Sequence, residues 1–399
     1  MCLGGFALVG CAAAEPQIVE VTKVVEQQVE VTKVVEKVVD RPVEVEVTKV
    51  VEKVVDRPVE VTKVVEKVVD RPVEVEVTKI VEVMAPEGPK STIIFGDLNW
   101  SSALVQNRIA QYLVEKGYGY PTEVKLGATL PLFQGLKRGD THVTMEIWLP
   151  NQDEAWEAAR SEGAVLSVGK SLGQDWQSAF VIPAYLQEQY PELDSVEDLK
   201  DQQYKDLFKT PETGDKARLV SCIIGWSCEE VNAKQIEGYG LSDHVHIVNP
   251  GDGAALNADL NGAYKRQEPW LGYQWGTNDP ALKLDLVRLS EPAYSDQCWF
   301  TTKACAYEDA TILIAVNPDL PAAAPDVIEM LRKWDFNIDI YKAVVRWRDG
   351  NPDATDNDTA LWWLNSNTDT WSGWVTPEAA AAVNTALGNN ETPDGWPDE

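Results

Sequence analysis

A chain of 399 residues with 44% hydrophobic side chains can bury one large core or two moderate ones, and needs no metal or disulfide staple to do so. Its formal net charge of −29 is uneven: Glu15 to Lys90 hold 17 acids against 12 bases, which leaves 47 against 23, net −24, in the rest. A surface of that sign repels phosphate backbones and anionic headgroups, which excludes nucleic acid as a partner and points to a cationic ligand or a salty habitat.

The opening "MCLGGFALVGCAAAEP" has an apolar run ending in Leu8-Val9-Gly10-Cys11 and resembles a bacterial lipobox, with Cys11 as the expected lipidation site and residues 1–14 as the signal. No Lys or Arg precedes the run, so the start codon is expected upstream of Met1. No later run of 18 apolar residues is present to span a bilayer.

Residues 15–90 are repetitive, with units such as "VEVTKVVEKVVDRP" and "VEVEVTKVVEKVVDRP" running 14, 16 and 14 residues. "VEVEV" alternates as a strand does, whereas Val47, Val50, Val51, Val54 and Val55 follow helical spacing. Pro42, Pro58 and Pro72 and the dominance of Val disfavour a long coiled coil. The segment reads as a charged, largely extended stalk holding a domain away from a lipid anchor; a self-associating stalk is the alternative.

From Ser91 the texture changes. "STIIFGD" reads as a strand, residues 101–117 as an amphipathic helix with Ser caps, "TEVKLG" as a strand, "LPLFQGLKRGD" as a helix and "HVTMEIWLP" as a strand. A second set follows, with strands at "ARLVSCIIGW", "HVHIVNPGDG" and "PWLGYQW" and helices at "CEEVNAKQIEGYGL" and "AALNADLNGAYKRQ". The β-α-β order implies parallel sheets in two α/β lobes. The last 110 residues read as helices that pack back on the first lobe. The expected limits are 91–178 plus 287–399 for lobe one and 179–286 for lobe two.

Two sequence motifs suggest catalysis and fail on context. "GKSLG" (residues 169–173) matches the nucleophile-elbow pattern, but the elbow needs a helix next and "QDWQSAFVIP" reads as a strand. Five residues, not the four of a P-loop, separate Gly163 from Gly169. Acidic pairs are too common among 64 Asp and Glu to single out a general acid and base. Cys222 with Cys228 and Cys298 with Cys305 are close pairs that, outside the cytoplasm, read as short-loop disulfides; the three His lie in other segments, so no metal site is expected.

All 15 Trp follow residue 99, and Trp100, Trp148, Trp226 and Trp275 each fall at the C-terminal end of an expected strand. Ligands of open α/β sheets bind outside those ends. A quaternary ammonium has no N–H to donate, so aromatic faces are what can hold it.

The segments "GDLNWSSA", "EIWLP", "GAALNADLNGAYKRQEPWLGYQW" and "ALWWLNSN...WSGWV", in this order and spacing, resemble the substrate-binding proteins of ABC importers for glycine betaine, proline betaine and choline. The resemblance spans Ser91 to Leu387. It implies a type II periplasmic-binding fold of two closing lobes, an aromatic cage of Trp148, Trp275, Trp226 and Trp100, and a ligand carboxylate held by backbone N–H groups at a helix start, matched here by Ser101 and Ser102. Many relatives follow the last cage Trp with Pro-His, where this chain reads "WGTNDP"; Asn278 is the expected substitute contact. The resulting expectation is a membrane-anchored, extracytoplasmic receptor, monomeric as a domain, with no cofactor and no covalent chemistry, that passes a small cationic or zwitterionic solute to an ABC permease. A receptor for an amino-acid-like solute and a secreted glycan hydrolase are the rivals.

Overall fold

The computed structural model describes residues 90–172 and 178–398. All of them belong to the second of two compact units, Met1–Glu87 and Gly88–Glu399. The lipobox-like opening with Cys11 and the repeat up to residue 89 lie outside the described residues.

Two mixed five-stranded sheets carry the second unit. The first runs, edge to edge, β2 (Thr122–Gly127), β1 (Ile93–Leu98), β3 (Val143–Leu149), β10 (Thr311–Val316) and β4 (Leu166–Lys170). Here β1 lies parallel to β2 and β3, while β10 is antiparallel to β3 and β4. The second sheet runs β7 (Val245–Val248), β6 (Ala217–Val220), β8 (Gly272–Gln274), β5 (Ala179–Pro183) and β9 (Leu286–Arg288), with β6 parallel to β7 and β8 and β5 antiparallel to β8 and β9. This is the α/β two-lobed periplasmic-binding architecture. The strands β1 and β3 are buried along nearly their whole length, and their polar residues Asp97, Thr144 and Glu146 are buried with the apolar ones.

The return to the first lobe comes later than the expected residue 287. Leu286–Arg288 is an edge strand of the second sheet, and Leu289 N donates to Phe180 O at 2.9 Å. Beyond it, Gln235 Nε2 donates to Cys305 O at 2.8 Å and Tyr307 OH to Asn232 Oδ1 at 2.7 Å, so the segment up to Tyr307 packs on lobe two. Three residues of edge strand with half-buried side chains carry too little pattern to be read in advance.

Helix α1 (Ser101–Tyr112) continues through a π turn, Leu113–Gly117, and helix α2 (Thr129–Arg138) follows β2; the N-terminal end of α1 departs from expectation. Its N-cap is Trp100, with no side-chain cap bond, in place of the expected Ser. Nor is it amphipathic: every residue from Ser102 to Tyr112 except Leu104 is buried. The expected packing of the C-terminal tail explains this, since the helix Asp356–Ser366 lies on α1 and the helix Pro377–Gly388 on the π turn. Asp97 at the end of β1 anchors α1 from inside: Arg108 binds both its oxygens (2.7 and 3.1 Å) and Asn107 donates to Oδ1 at 2.8 Å. A bidentate pair this deep fixes where the β1–α1 turn, and with it Trp100, points.

The "GKSLG" stretch is structural where it is described. Gly169 lies in β4, and Ser171 is buried with its hydroxyl donating to Gln106 Oε1 at 2.6 Å. A Cβ on Gly169 would lie 2.6 Å from the Leu331 carbonyl oxygen. Gly169→Ala is therefore expected to lower unfolding free energy by about 1–3 kcal/mol in denaturant titration; an unchanged midpoint would contradict this packing.

Candidate functional site

At the cleft between the lobes is a cavity whose empty space, counted together with the open solvent at its mouth, is about 360 Å³. Lobe one contributes Trp100, Thr129, Trp148, Asn151 and Gln152; lobe two contributes Trp226, Ser227, Cys228, Tyr273 and Trp275. The four expected Trp thus meet at one place.

Each ring is set by a strand end or a helix start. Trp100 follows β1, and Trp148 is the penultimate residue of β3, opposite Ile312 of β10. The chain then turns through a cis Leu149–Pro150 peptide, with Gln152 N donating to Trp148 O at 3.0 Å, which brings Asn151 and Gln152 to the wall beside the ring. Trp226 immediately precedes α3 (Ser227–Gly238), and Trp275 immediately follows β8. Trp226 stands edge-on to both Trp100 (centroids 5.1 Å, 76°) and Trp275 (5.6 Å, 81°), while Tyr273 leans on Trp275 at 5.9 Å. Edge-to-face contact is a favoured geometry of aromatic pairs, and it turns ring faces in different directions around one space.

The lobes are shut on each other. Trp226 Nε1 donates across the cleft to Asn99 Oδ1 at 2.7 Å, Leu130 N to Gly225 O at 3.1 Å, and Tyr341 OH to Asp279 Oδ1 at 2.6 Å. Lys283 pairs with Asp349 from lobe two to lobe one. Gly253, the first residue of α4 (Gly253–Arg266), lets the lobes approach closely, because a Cβ there would be 3.1 Å from Asn99 O.

Electrostatically the wall is simple. Among the described residues it contains no Lys, Arg or His and no Asp or Glu. A carboxyl group tied to it is that of Glu146, fully buried and bonded to two of the rings. Its Oε2 accepts the indole N–H of both Trp100 (2.7 Å) and Trp148 (2.9 Å), and its Oε1 accepts from Gln106 Nε2 at 2.8 Å. Burial raises the Glu146 pKa above the usual carboxylate range, by more than the hydrogen bonds, that of Trp100 foremost, lower it. Tyr273 is likewise pushed up by burial and shares a 2.8 Å hydrogen bond with Ser178.

At the opposite wall α3 begins. The N–H groups of Ser227 and Cys228 lie in its first turn, where no intrahelical acceptor exists, and the helix start carries partial positive charge. Two buried side-chain oxygens, Ser227 Oγ and Gln152 Oε1, have no hydrogen-bond partner among the described residues. Both residues belong to the wall of the cavity, within reach of what enters it.

The other expected contacts lie elsewhere. Ser101 and Ser102 are not part of the wall. Asn278 is 5% exposed and fully engaged: it caps the helix Asp279–Lys283 and its amide bonds Asn257 and Gln274. Trp156 sits in a core cluster with Phe133, as expected of a helix residue facing inward. Cys222 and Cys228 approach to 1.94 Å between sulfurs, pinning the loop that presents Trp226; Cys298 and Cys305 approach to 2.10 Å.

Sequence reasoning missed Glu146, Gln152 and the Ser227–Cys228 start. For Glu146 the signal was present: it lies two residues from Trp148 on β3, hence on the same face of the strand.

Comparison with known proteins agrees with this geometry. The family model for the substrate binding domain of an ABC-type glycine betaine transport system matches residues 91–366. A glycine betaine-binding periplasmic protein of Dickeya dadantii is 27% identical over 286 residues, which is 68% of this chain and 82% of that protein. Among solved structures, an ABC-transporter choline binding protein in complex with choline superposes with a TM-score of 0.62 at 19% identity, covering 74% of this chain and 98% of its own. A lactococcal protein in a closed-liganded conformation with glycine betaine gives 0.57 at 19% identity, covering 72% and 100%. At such identities the solved structures speak for the fold, and the family match, over more than half of the chain, speaks for descent: the chain belongs to the family of substrate-binding domains of ABC-type glycine betaine transport systems.

Proposed function

We propose that this protein is the extracytoplasmic solute receptor of an ABC importer, binding glycine betaine or a choline-like quaternary ammonium in the cavity between its lobes and passing it to a membrane permease. The observation that carries this reading is the convergence of Trp100, Trp148, Trp226 and Trp275 on one cavity whose wall holds no charged side chain. Cation–π attraction contributes about 0.5 to 2 kcal/mol per desolvated ring. Three or four rings together then contribute about 1.5 to 8 kcal/mol before the cost of association, so burial of the methyl groups and the contacts to the far end of the ligand supply the rest of the affinity. Closure of the lobes strips water from the ammonium methyls and brings Trp226 and Trp275 to the rings of lobe one.

The far end of a zwitterionic ligand is assigned to the start of α3, in place of Ser101 and Ser102. Ser227 N–H, Cys228 N–H and the Ser227 hydroxyl offer donors there without a formal charge, and a helix start favours an anion. In this reading Cys11 carries the lipid, residues 15–90 form the spacer, the receptor domain acts as a monomer, and the Cys222–Cys228 bridge fixes the Trp226 loop. An amino-acid-like solute fits less well, because its ammonium N–H groups need acceptors that four indole faces do not provide. A glycan hydrolase needs two carboxyl groups across the scissile bond, and none is among the described residues of the wall.

Two measurements test the assignment. In calorimetric titration, Trp226→Ala is expected to weaken glycine betaine and choline binding by about 30-fold or more, since it removes one ring and the edge support of two others; unchanged affinity would sink the cage. Ser227→Pro removes the N–H and the hydroxyl at the first helical position, where Pro is well tolerated, and the preceding Trp226 already has the extended backbone (φ −84°, ψ 150°) that a Pro demands. Glycine betaine affinity is expected to fall about tenfold and choline affinity by much less; equal losses would remove the carboxylate from α3.

A further inference from the structure

We propose that Glu146 is the counter-charge of the cage: a positioning residue that fixes both lobe-one rings through one carboxylate oxygen and biases the cavity toward ligands of net positive charge. This rests on the quaternary-ammonium reading of the cavity and goes beyond it, because it names the charge class that the site prefers.

The argument starts from donors that cannot act as acceptors. An indole N–H only donates, and two of them, from Trp100 and Trp148, converge on Glu146 Oε2 at 2.7 and 2.9 Å. The third contact is fixed in the same sense. Gln106 Oε1 accepts from Trp334 Nε1 at 3.0 Å and from Ser171 Oγ at 2.6 Å, so its amide NH₂ has to face Glu146 Oε1, at 2.8 Å. The orientation of Gln106 is thus dictated by Trp334, from the far side of the domain core. Three contacts, all donated to Glu146, favour the carboxylate over the acid and oppose the effect of burial, which favours the acid.

Charge compensation is missing. Glu146 is 0% exposed, and no Lys, Arg or His among the described residues lies within ion-pair distance of it. Elsewhere in this lobe the fold pairs a buried carboxylate when it has one: Asp97, 2% exposed, is held by Arg108. A buried anion without a cation is costly and is retained where something else supplies the positive charge. The two rings that Glu146 binds are walls of the cavity, so a quaternary ammonium between them completes the pair across the thickness of an indole. The same hydrogen bonds draw positive charge to the indole edge and leave the faces more negative, which strengthens their attraction for a cation. A zwitterion gains less, because its carboxylate feels the same field with the opposite sign.

The test separates charge from shape. Dissociation constants for choline, for its uncharged carbon isostere 3,3-dimethylbutan-1-ol and for glycine betaine are measured calorimetrically on the full chain and on Glu146→Gln, with the fold of the variant checked by its melting curve. The wild type is expected to prefer choline to the isostere, and the variant to narrow that preference by about tenfold, equivalent to about 1.4 kcal/mol, with choline losing more than glycine betaine. A merely structural role would weaken all three ligands alike and leave the ratio unchanged, which overturns the proposal. Should Glu146→Gln fail to fold, Glu146→Met gives the same readout. Failure of the wild type to bind either quaternary ammonium would instead defeat the receptor reading, and is distinguishable from an unchanged ratio in a protein that binds.

Discussion

Three of the four tryptophans at the cleft spend the indole N–H on a protein acceptor and turn their rings toward the cavity, and these bonds organise the cleft. Trp100 and Trp148 spend theirs on one oxygen of Glu146, and Trp226 spends its own on Asn99 across the cleft. Each of these bonds does more than satisfy a buried donor. The first two lock the rings of lobe one to a common point beneath the sheet end; the third exists only when the lobes are shut, so closure and the orientation of Trp226 are one event. The quaternary head that the cavity suits cannot hydrogen-bond, and rings held at their edges are what remains to recognise it.

From that point the network runs outward into the fold. Glu146 leads to Gln106 of α1, and Gln106 to Trp334, which packs on Trp374 at 4.6 Å. Trp374 in turn stacks near Trp363 at 5.5 Å, and Trp363 meets Phe336, which touches Tyr341. The hydroxyl of Tyr341 returns to lobe two at Asp279. Aromatic residues of the C-terminal helices are therefore core, yet they stand behind the cage and reach the opposite lobe, which gives the tail a reason to pack on α1.

Much of the fold was legible because its signals are local. Strand and helix alternation around β1, α1, β2 and β3 could be read from periodicity, and the position of a Trp at a strand end is a property of a few residues. What could not be read depends on tertiary choice. "NWSS" and "GWSC" are nearly the same local message, a Trp before a Ser-led helix start, and only the fold decides that Ser227 and Cys228 face the cavity while Ser101 and Ser102 do not. Asn278 looked like a substitute contact, but Asn before Asp-Pro is a helix cap, and its amide is consumed there. Glu146 was passed over among 64 acids because sequence shows no burial; only its place on the face of Trp148 marked it.

The central claim is that this cavity recognises a cation by faces and not by hydrogen bonds to nitrogen. The most direct measurement is calorimetric binding of glycine, N-methylglycine, N,N-dimethylglycine and glycine betaine to the full chain. Every N–H replaced by a methyl removes a donor that the cage cannot accept, so affinity is expected to rise at each step and to be highest for the fully methylated ligand. Tighter binding of glycine or dimethylglycine than of glycine betaine would contradict the account.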